Sequence, residues 1–175
     1  MAIIGNGDIA KVLREIDVPD LVFFASGVSN SQETRESEFK REQNLLLSQD
    51  RSKHIVYFSS LSIFFDQGRY QRHKMLMERL IKKNFRHYTI IRLGNINFGN
   101  NPHTIINFIY KKIEDDEPFD IKDVYRHVID EHEFKYWMTK IPSWNCEFNC
   151  PGRMIKVKDL VDEIKSSIKR GTKRL

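Results

Sequence analysis

Cysteine is scarce: Cys146 and Cys150 are the only two in 175 residues. If the residues between them form a strand, their alpha carbons lie roughly 13 Å apart, beyond the reach of a disulfide. They are read as buried free thiols. Long apolar runs are also missing. No window approaches the ~18 uncharged apolar residues of a spanning helix, which excludes such a membrane segment. The opening Met1, Ala2, Ile3, Ile4 and Gly5 lacks the basic region, apolar stretch and cleavage site of a signal peptide, so a cytoplasmic location is expected. The six histidines show no paired spacing with cysteines or carboxylates, and no metal is expected. Internal repeats and low-complexity segments are absent.

The chain is 40% hydrophobic and 30% charged, an ordinary globular balance. Its length suits one compact core and falls short of two ordinary domains of ~100 to 150 residues, so residues 1–175 are taken as a single domain. The net charge of +5 is spread along the sequence and interrupted by Glu33, Glu36, Glu38 and Glu42. The one concentrated basic run, Lys165 to Arg174, reads as a solvated tail. Nucleic-acid binding would rest on net charge alone and is not expected, whereas an anionic substrate suits the balance.

Ala2 to Ile4 is a short apolar run ending at Gly5, Asn6 and Gly7, and Ile9, Val12, Leu13 and Ile16 follow at helical spacing. Asp17 to Asp20 breaks that helix. A second run, Leu21 to Ala25, closes at Ser26 and Gly27. Asn30 and Glu33 resemble a capping box for a helix over 32–49. Ile55 to Phe58 predicts a strand, Tyr70 to Lys83 a helix with Leu76, Leu80 and Ile81 inward, and Tyr88 to Leu93 a strand. Beyond Gly94 the pattern predicts helices over 103–113, 131–139 and 157–169, with strands over 119–121, 125–129 and 144–149. Trp137 and Trp144 are assigned to the core. Alternating strands and helices in the first half point to an α/β chain with a doubly wound parallel sheet.

Gly5, Asn6, Gly7, Asp8, Ile9 and Ala10 sit between a predicted strand and a predicted helix, where glycines let backbone amides approach a pyrophosphate. Ala10 stands at the third glycine, a position that needs only a small residue. A structural turn without ligand is the alternative. The acid that usually follows about 20 positions on has no counterpart at the right strand end, since Asp20 begins its strand.

Tyr70 and Lys74 share one face of a predicted helix. A lysine charge there stabilises a phenolate, letting the phenol exchange a proton with an alcohol or carbonyl, while a hydroxyl such as Ser60 holds the same substrate oxygen. Tyr136 and Lys140 repeat the interval without supporting context and serve as a control. Arg69, Arg72, Arg79, Lys82, Lys83 and Arg86 read as the solvated side of the Tyr70 helix.

The order of these motifs resembles the extended short-chain dehydrogenase/reductases, the nucleotide-sugar epimerase and dehydratase family, over most of the chain. The family's catalytic hydroxyl precedes an aliphatic-aromatic pair by three residues, here Ile63 and Phe64, which selects Ser60 over Ser59 and Ser62. Tyr70, Lys74 and Glu78 match its catalytic helix, and Ile91 to Gly99 resembles the segment that contacts nicotinamide and substrate. The resemblance implies a Rossmann-like sheet lacking its second and third strands, with a nucleotide-binding core in 1–100. Residues 101–175 would form mixed core and a small C-terminal substrate lobe.

It further implies Ser60, Tyr70 and Lys74 as catalytic residues, and NAD or NADP at Gly5, Asn6, Gly7, Asp8, Ile9, Ala25, Ser26, Gly27 and Lys74. A nucleotide-sugar substrate would lie at Ser60, Asn95, Asn97 and Arg126. The implied homodimer pairs helices 32–49 and 70–83. The absent strands and a short Ser60–Tyr70 loop leave a second hypothesis open: a noncatalytic binding or assembly protein that kept the sheet and lost cofactor binding.

Overall fold

The computed structural model describes residues 1–16 and 21–172. The breaker Asp17 to Asp20 and the end of the basic tail lie outside the described residues. Two sheets are built from β1 (Ala2–Ile4), β2 (Leu21–Phe24), β3 (His54–Ser60), β4 (His87–Leu93), β5 (Asn95–Ile96), β6 (Tyr125–Ile129), β7 (Cys146–Cys150) and β8 (Arg153–Lys156). The helices are α1 (Asp8–Leu13), α2 (Glu36–Leu47), α3 (Arg69–Asn84), α4 (Ile105–Glu114), α5 (Glu131–Met138) and α6 (Val157–Lys169). Strands β1, β2, β3, β4 and β7 form a wholly parallel sheet in that order. Strands β5, β6 and β8 form the second, with β6 and β8 antiparallel.

The apolar runs become central strands because alternate residues are buried on opposite faces. Ile3, Phe23, Val56 and Ile91 pack beneath α1 and α5, whereas Ile4, Phe24, Ile55, Tyr57 and Ile90 pack beneath α2 and α3. Helices on both faces match the expected winding. The complete Rossmann order is 3-2-1-4-5-6, and removing its second and third strands leaves β1 at the edge, as found.

This edge carries a topological consequence. Strand order advances in one direction from β1 to β4, yet α1 covers one face while α2 and α3 cover the other. The β1–α1–β2 crossover therefore has the opposite hand from the two that follow. Parallel crossovers are right-handed in about 98% of cases. α1's placement would be right-handed if the next strand lay on the far side of β1, where the missing strands belong.

The second sheet forms the small C-terminal lobe. Ile106 and Ile109 of α4 pack with Leu160 and Ile164 of α6 over Val128 and Ile155.

Several sequence expectations need correction. Asn30 and Glu33 form no capping box: Asn30 Oδ1 accepts the Gln32 amide at 2.9 Å, and Glu33 Oε1 accepts those of Thr34 and Arg35. These local bonds satisfy amides a helix would otherwise use, and α2 begins only at Glu36. Residues 119–121 form no strand, and the two-residue β5 and four-residue β8 went unpredicted because such short pairings leave little periodicity. Trp137 packs on the first cluster, but Trp144 is 69% exposed. Leu76 faces outward, and Met77 and Ile81 fill the inward positions.

Candidate active site

The loops after β1 and β2 meet at the carboxyl ends of their strands. Gly5 holds φ at +129°, and a methyl group placed there would stand 2.3 Å from the Ala25 carbonyl oxygen. The turn therefore requires glycine. It brings Gly5 beside Ala25 and Ser26, while nothing stands within 4 Å of a methyl group placed at Gly7 and Ile9 packs on the core. Arg14 donates to the Gly5 carbonyl at 2.9 Å and to Asn6 Oδ1 at 3.1 Å. Arg41 donates to the Ser26 hydroxyl and carbonyl, each at 3.2 Å. Asp8 turns away, accepting the Asn101 amide at 2.8 Å against Gly99.

β3 ends at Ser60, whose hydroxyl accepts the Ser62 amide at 3.2 Å and bonds the Ser62 hydroxyl at 2.9 Å. Ser59, one residue earlier, is buried with its hydroxyl unpaired. Because α3 starts at Arg69, Tyr70 falls in its first turn and Lys74 one turn on. Lys74 Nζ lies 5.6 Å from the centre of the Tyr70 ring, but Lys140 Nζ lies 5.3 Å from that of Tyr136. The contact thus follows from the four-residue interval and does not by itself single out Tyr70. Among the described residues no hydrogen bond joins Ser60 to Tyr70.

What surrounds Lys74 was not foreseen. Glu42 is wholly buried on α2, and Lys74, only 3% exposed, donates to Glu42 Oε1 at 3.2 Å and to the Tyr57 hydroxyl at 3.0 Å. Tyr57 donates to the same oxygen at 2.7 Å, and Glu42 Oε2 accepts the Val28 amide at 2.6 Å. His73 Nε2 lies 2.9 Å from Glu42 Oε2 and carries the proton of that bond, since an ionised carboxylate only accepts.

Burial alone would raise the Glu42 pKa, but the Lys74 charge, the His73 bond and the Val28 amide outweigh it and hold the carboxyl at about 2. Burial likewise works against the Lys74 charge and is overcome by Glu42, so its pKa is raised. Burial and the neighbouring Glu42 push the Tyr57 phenol well above its ordinary value.

A sequence signal did exist. Phe39, Glu42 and Leu46 lie on one stripe of α2, and His73, Lys74, Met77, Glu78 and Ile81 on one stripe of α3. Charges on two apolar stripes mark Glu42, His73, Lys74 and Glu78 as buried without saying which meets which.

The substrate candidates lie apart from this network. Asn95 Nδ2 donates to the His127 carbonyl at 2.9 Å, and Arg126 Nη1 to that of Tyr125 at 3.2 Å. Asn97 lines a cleft of about 720 Å³ on the C-terminal lobe that Ser60, Tyr70 and Lys74 do not line. Asp130, Glu133, Asp159, Asp162 and Glu163 face only Arg153 and Arg170 there, which is unfavourable for a diphosphate. The cleft is therefore not the site of the chemistry assigned to the trio.

No protein-family model and no curated protein matches the chain. Solved structures do. The NAD complex of the Bordetella bronchiseptica enzyme WbmG superposes with a TM-score of 0.65 at 14% identity, covering 92% of this chain and 60% of that one. The Thermus thermophilus UDP-glucose 4-epimerase with NAD gives 0.68 at 12% identity, covering 92% and 65%. The NADP complex of dTDP-4-dehydrorhamnose reductase from Bacillus anthracis gives 0.73 at 14%, covering 96% and 80%. This chain has the fold of the extended short-chain dehydrogenase/reductases. It spans less than two thirds of the length of the first two of these neighbours.

As the residues of this fold are set, Lys74 is closed off from the loops that would hold a dinucleotide. The space that Gly27 leaves open is filled from within: a methyl group there would stand 2.7 Å from Lys74 Nζ and 2.9 Å from Glu42 Oε1. Lys74 is sealed, and β1 is the sheet edge, so no strand lies beyond it among the described residues. Asp20, set aside as the ribose acid because it begins its strand, lies outside those residues. Two free thiols on β7 agree with the absence of a cross-link; Cys150 is buried and Cys146 partly so.

Proposed function

We propose that this chain acts on a nucleotide-linked sugar as an NAD- or NADP-dependent oxidoreductase, epimerase or dehydratase, with Ser60, Tyr70 and Lys74 as its catalytic residues. The observation that carries this reading is placement. A serine ends β3, and tyrosine and lysine occupy the first two turns of the next helix, on a fold shared with nucleotide-sugar enzymes crystallised with NAD or NADP. Tyr70 exchanges a proton with the substrate alcohol or carbonyl, Ser60 orients that oxygen, and Lys74 holds the ribose. Gly5, Asn6, Gly7, Asp8, Ile9, Ala25, Ser26 and Gly27 border the dinucleotide, and Asn95, Asn97 and Arg126 the sugar nucleotide. In the same reading the protein works in the cytoplasm as a homodimer through α2 and α3, where Met75 and Leu76 lie exposed on α3.

The sealed Lys74 and the open edge at β1 favour a second reading, a noncatalytic binding or assembly protein. Titration with NADH and NADPH, followed by nicotinamide fluorescence, separates the two. Saturable binding supports the enzyme, and no binding up to millimolar concentration supports the binding protein. Tyr70→Phe abolishes turnover with the fold intact if the enzyme reading holds; undiminished turnover sinks the assignment.

A further inference from the structure

We propose that Glu42 is a latch that holds the segment 25–35 shut over Lys74, and that access to the site requires this segment to lift. The inference rests on the enzyme reading for its consequence, though not for its geometry. Residues 25–35 contain no helix or strand and are tied to the sheet where the Ala25 amide donates to the Ile4 carbonyl. Beyond that point side chains from the two helices below hold them. Glu42 accepts the Val28 amide, Arg41 reaches Ser26, and Arg69 donates to the Thr34 carbonyl at 2.7 Å.

Glu42 is central because it binds the segment and Lys74 at once. One carboxylate oxygen takes the Val28 amide and His73, and the other takes Tyr57 and Lys74. The ammonium lies directly beneath Gly27, where any larger residue would meet it. While the segment is down, the charge of Lys74 is spent on Glu42 and water is excluded from it. Lifting residues 26–28 breaks the Val28–Glu42 bond and the two from Arg41 to Ser26, and uncovers Lys74 without unpairing a strand.

Two variants test this. Glu42→Gln weakens the latch at its anchor. Gly27→Ala keeps every charge and wedges a methyl group between the segment and Lys74. Amide hydrogen exchange, resolved by peptide, is measured on folded protein, with NADH and NADPH titrations of wild type and Glu42→Gln alongside. In both variants amides 26–31 should exchange about tenfold faster than in wild type, and in Gly27→Ala those of β3 and β4 stay protected. Nucleotide affinity in Glu42→Gln should rise about tenfold as the open fraction rises.

Unchanged exchange in the segment overturns the latch. If Glu42→Gln fails to fold, Gly27→Ala decides alone. Faster exchange with no nucleotide binding in either protein sustains the latch and defeats the enzyme reading.

Discussion

Glu42→Gln also makes a quantitative demand on stability. Four donors converge on the two oxygens of Glu42: the Val28 amide, Tyr57, His73 and Lys74. Glutamine offers one acceptor oxygen and an amino group that faces those donors, leaving the Lys74 charge buried without a counterion. Removing one member of a buried pair costs ~3–5 kcal/mol. An independent route gives a similar size: holding the carboxyl at about 2 rather than 4.5, at ~1.4 kcal/mol per factor of ten in proton affinity, corresponds to about 3 kcal/mol. For a chain this size that lowers the midpoint of thermal unfolding by about 10 °C.

The pH dependence has a definite sign. A depressed carboxyl pKa stabilises the fold fully above pH 4.5, and the stabilisation is lost as pH falls from 4.5 towards about 2. Urea unfolding followed by circular dichroism should show a gap of about 3 kcal/mol between wild type and variant at pH 7 that narrows at pH 3. Adding Lys74→Met to Glu42→Gln should recover part of the loss, because the orphaned charge is gone. A gap below ~1 kcal/mol at pH 7, or one that does not narrow in acid, would refute the reasoning.

Two further outcomes follow from local geometry. Gly5→Ala places a methyl group 2.3 Å from the Ala25 oxygen in a backbone conformation with φ at +129°, so the β1–α1 turn must shift. Urea midpoints should fall by the equivalent of ~2 kcal/mol or more, and an unchanged midpoint would mean the turn is not strained. Cys150 is buried and its thiol is pushed up to about 12, chiefly by burial, so native protein at pH 8 should resist iodoacetamide there and react only after unfolding. Rapid native alkylation at Cys150, read by mass spectrometry, would show that the β7 end is open.

Much of the fold was legible because its signals are local. The runs Ala2–Ile4, Leu21–Phe24 and His54–Ser60 are apolar on both faces, which only a covered parallel sheet satisfies, and α6 shows a clean apolar stripe. The lack of two strands was implied by the family resemblance, in which Asp20 to Gly27 already answers to the strand and small-residue segment beside the cofactor. Sequence also placed Ser60, Tyr70 and Lys74 on a strand end and one helix face, because those positions follow from period alone.

Tertiary structure alone decided what those residues meet. Whether Lys74 faces solvent or a carboxylate depends on how α2 lies against α3, and residues 42 and 74 are joined by packing that no local period encodes. The hand of the β1–α1–β2 crossover depends on which side of β1 the next strand takes, a choice set by the whole sheet. The sequence thus determined the elements and the candidate chemistry, because propensity and periodicity act over a few residues. The closure of the site emerged only when two distant buried charges were brought together in a medium that punishes either one alone.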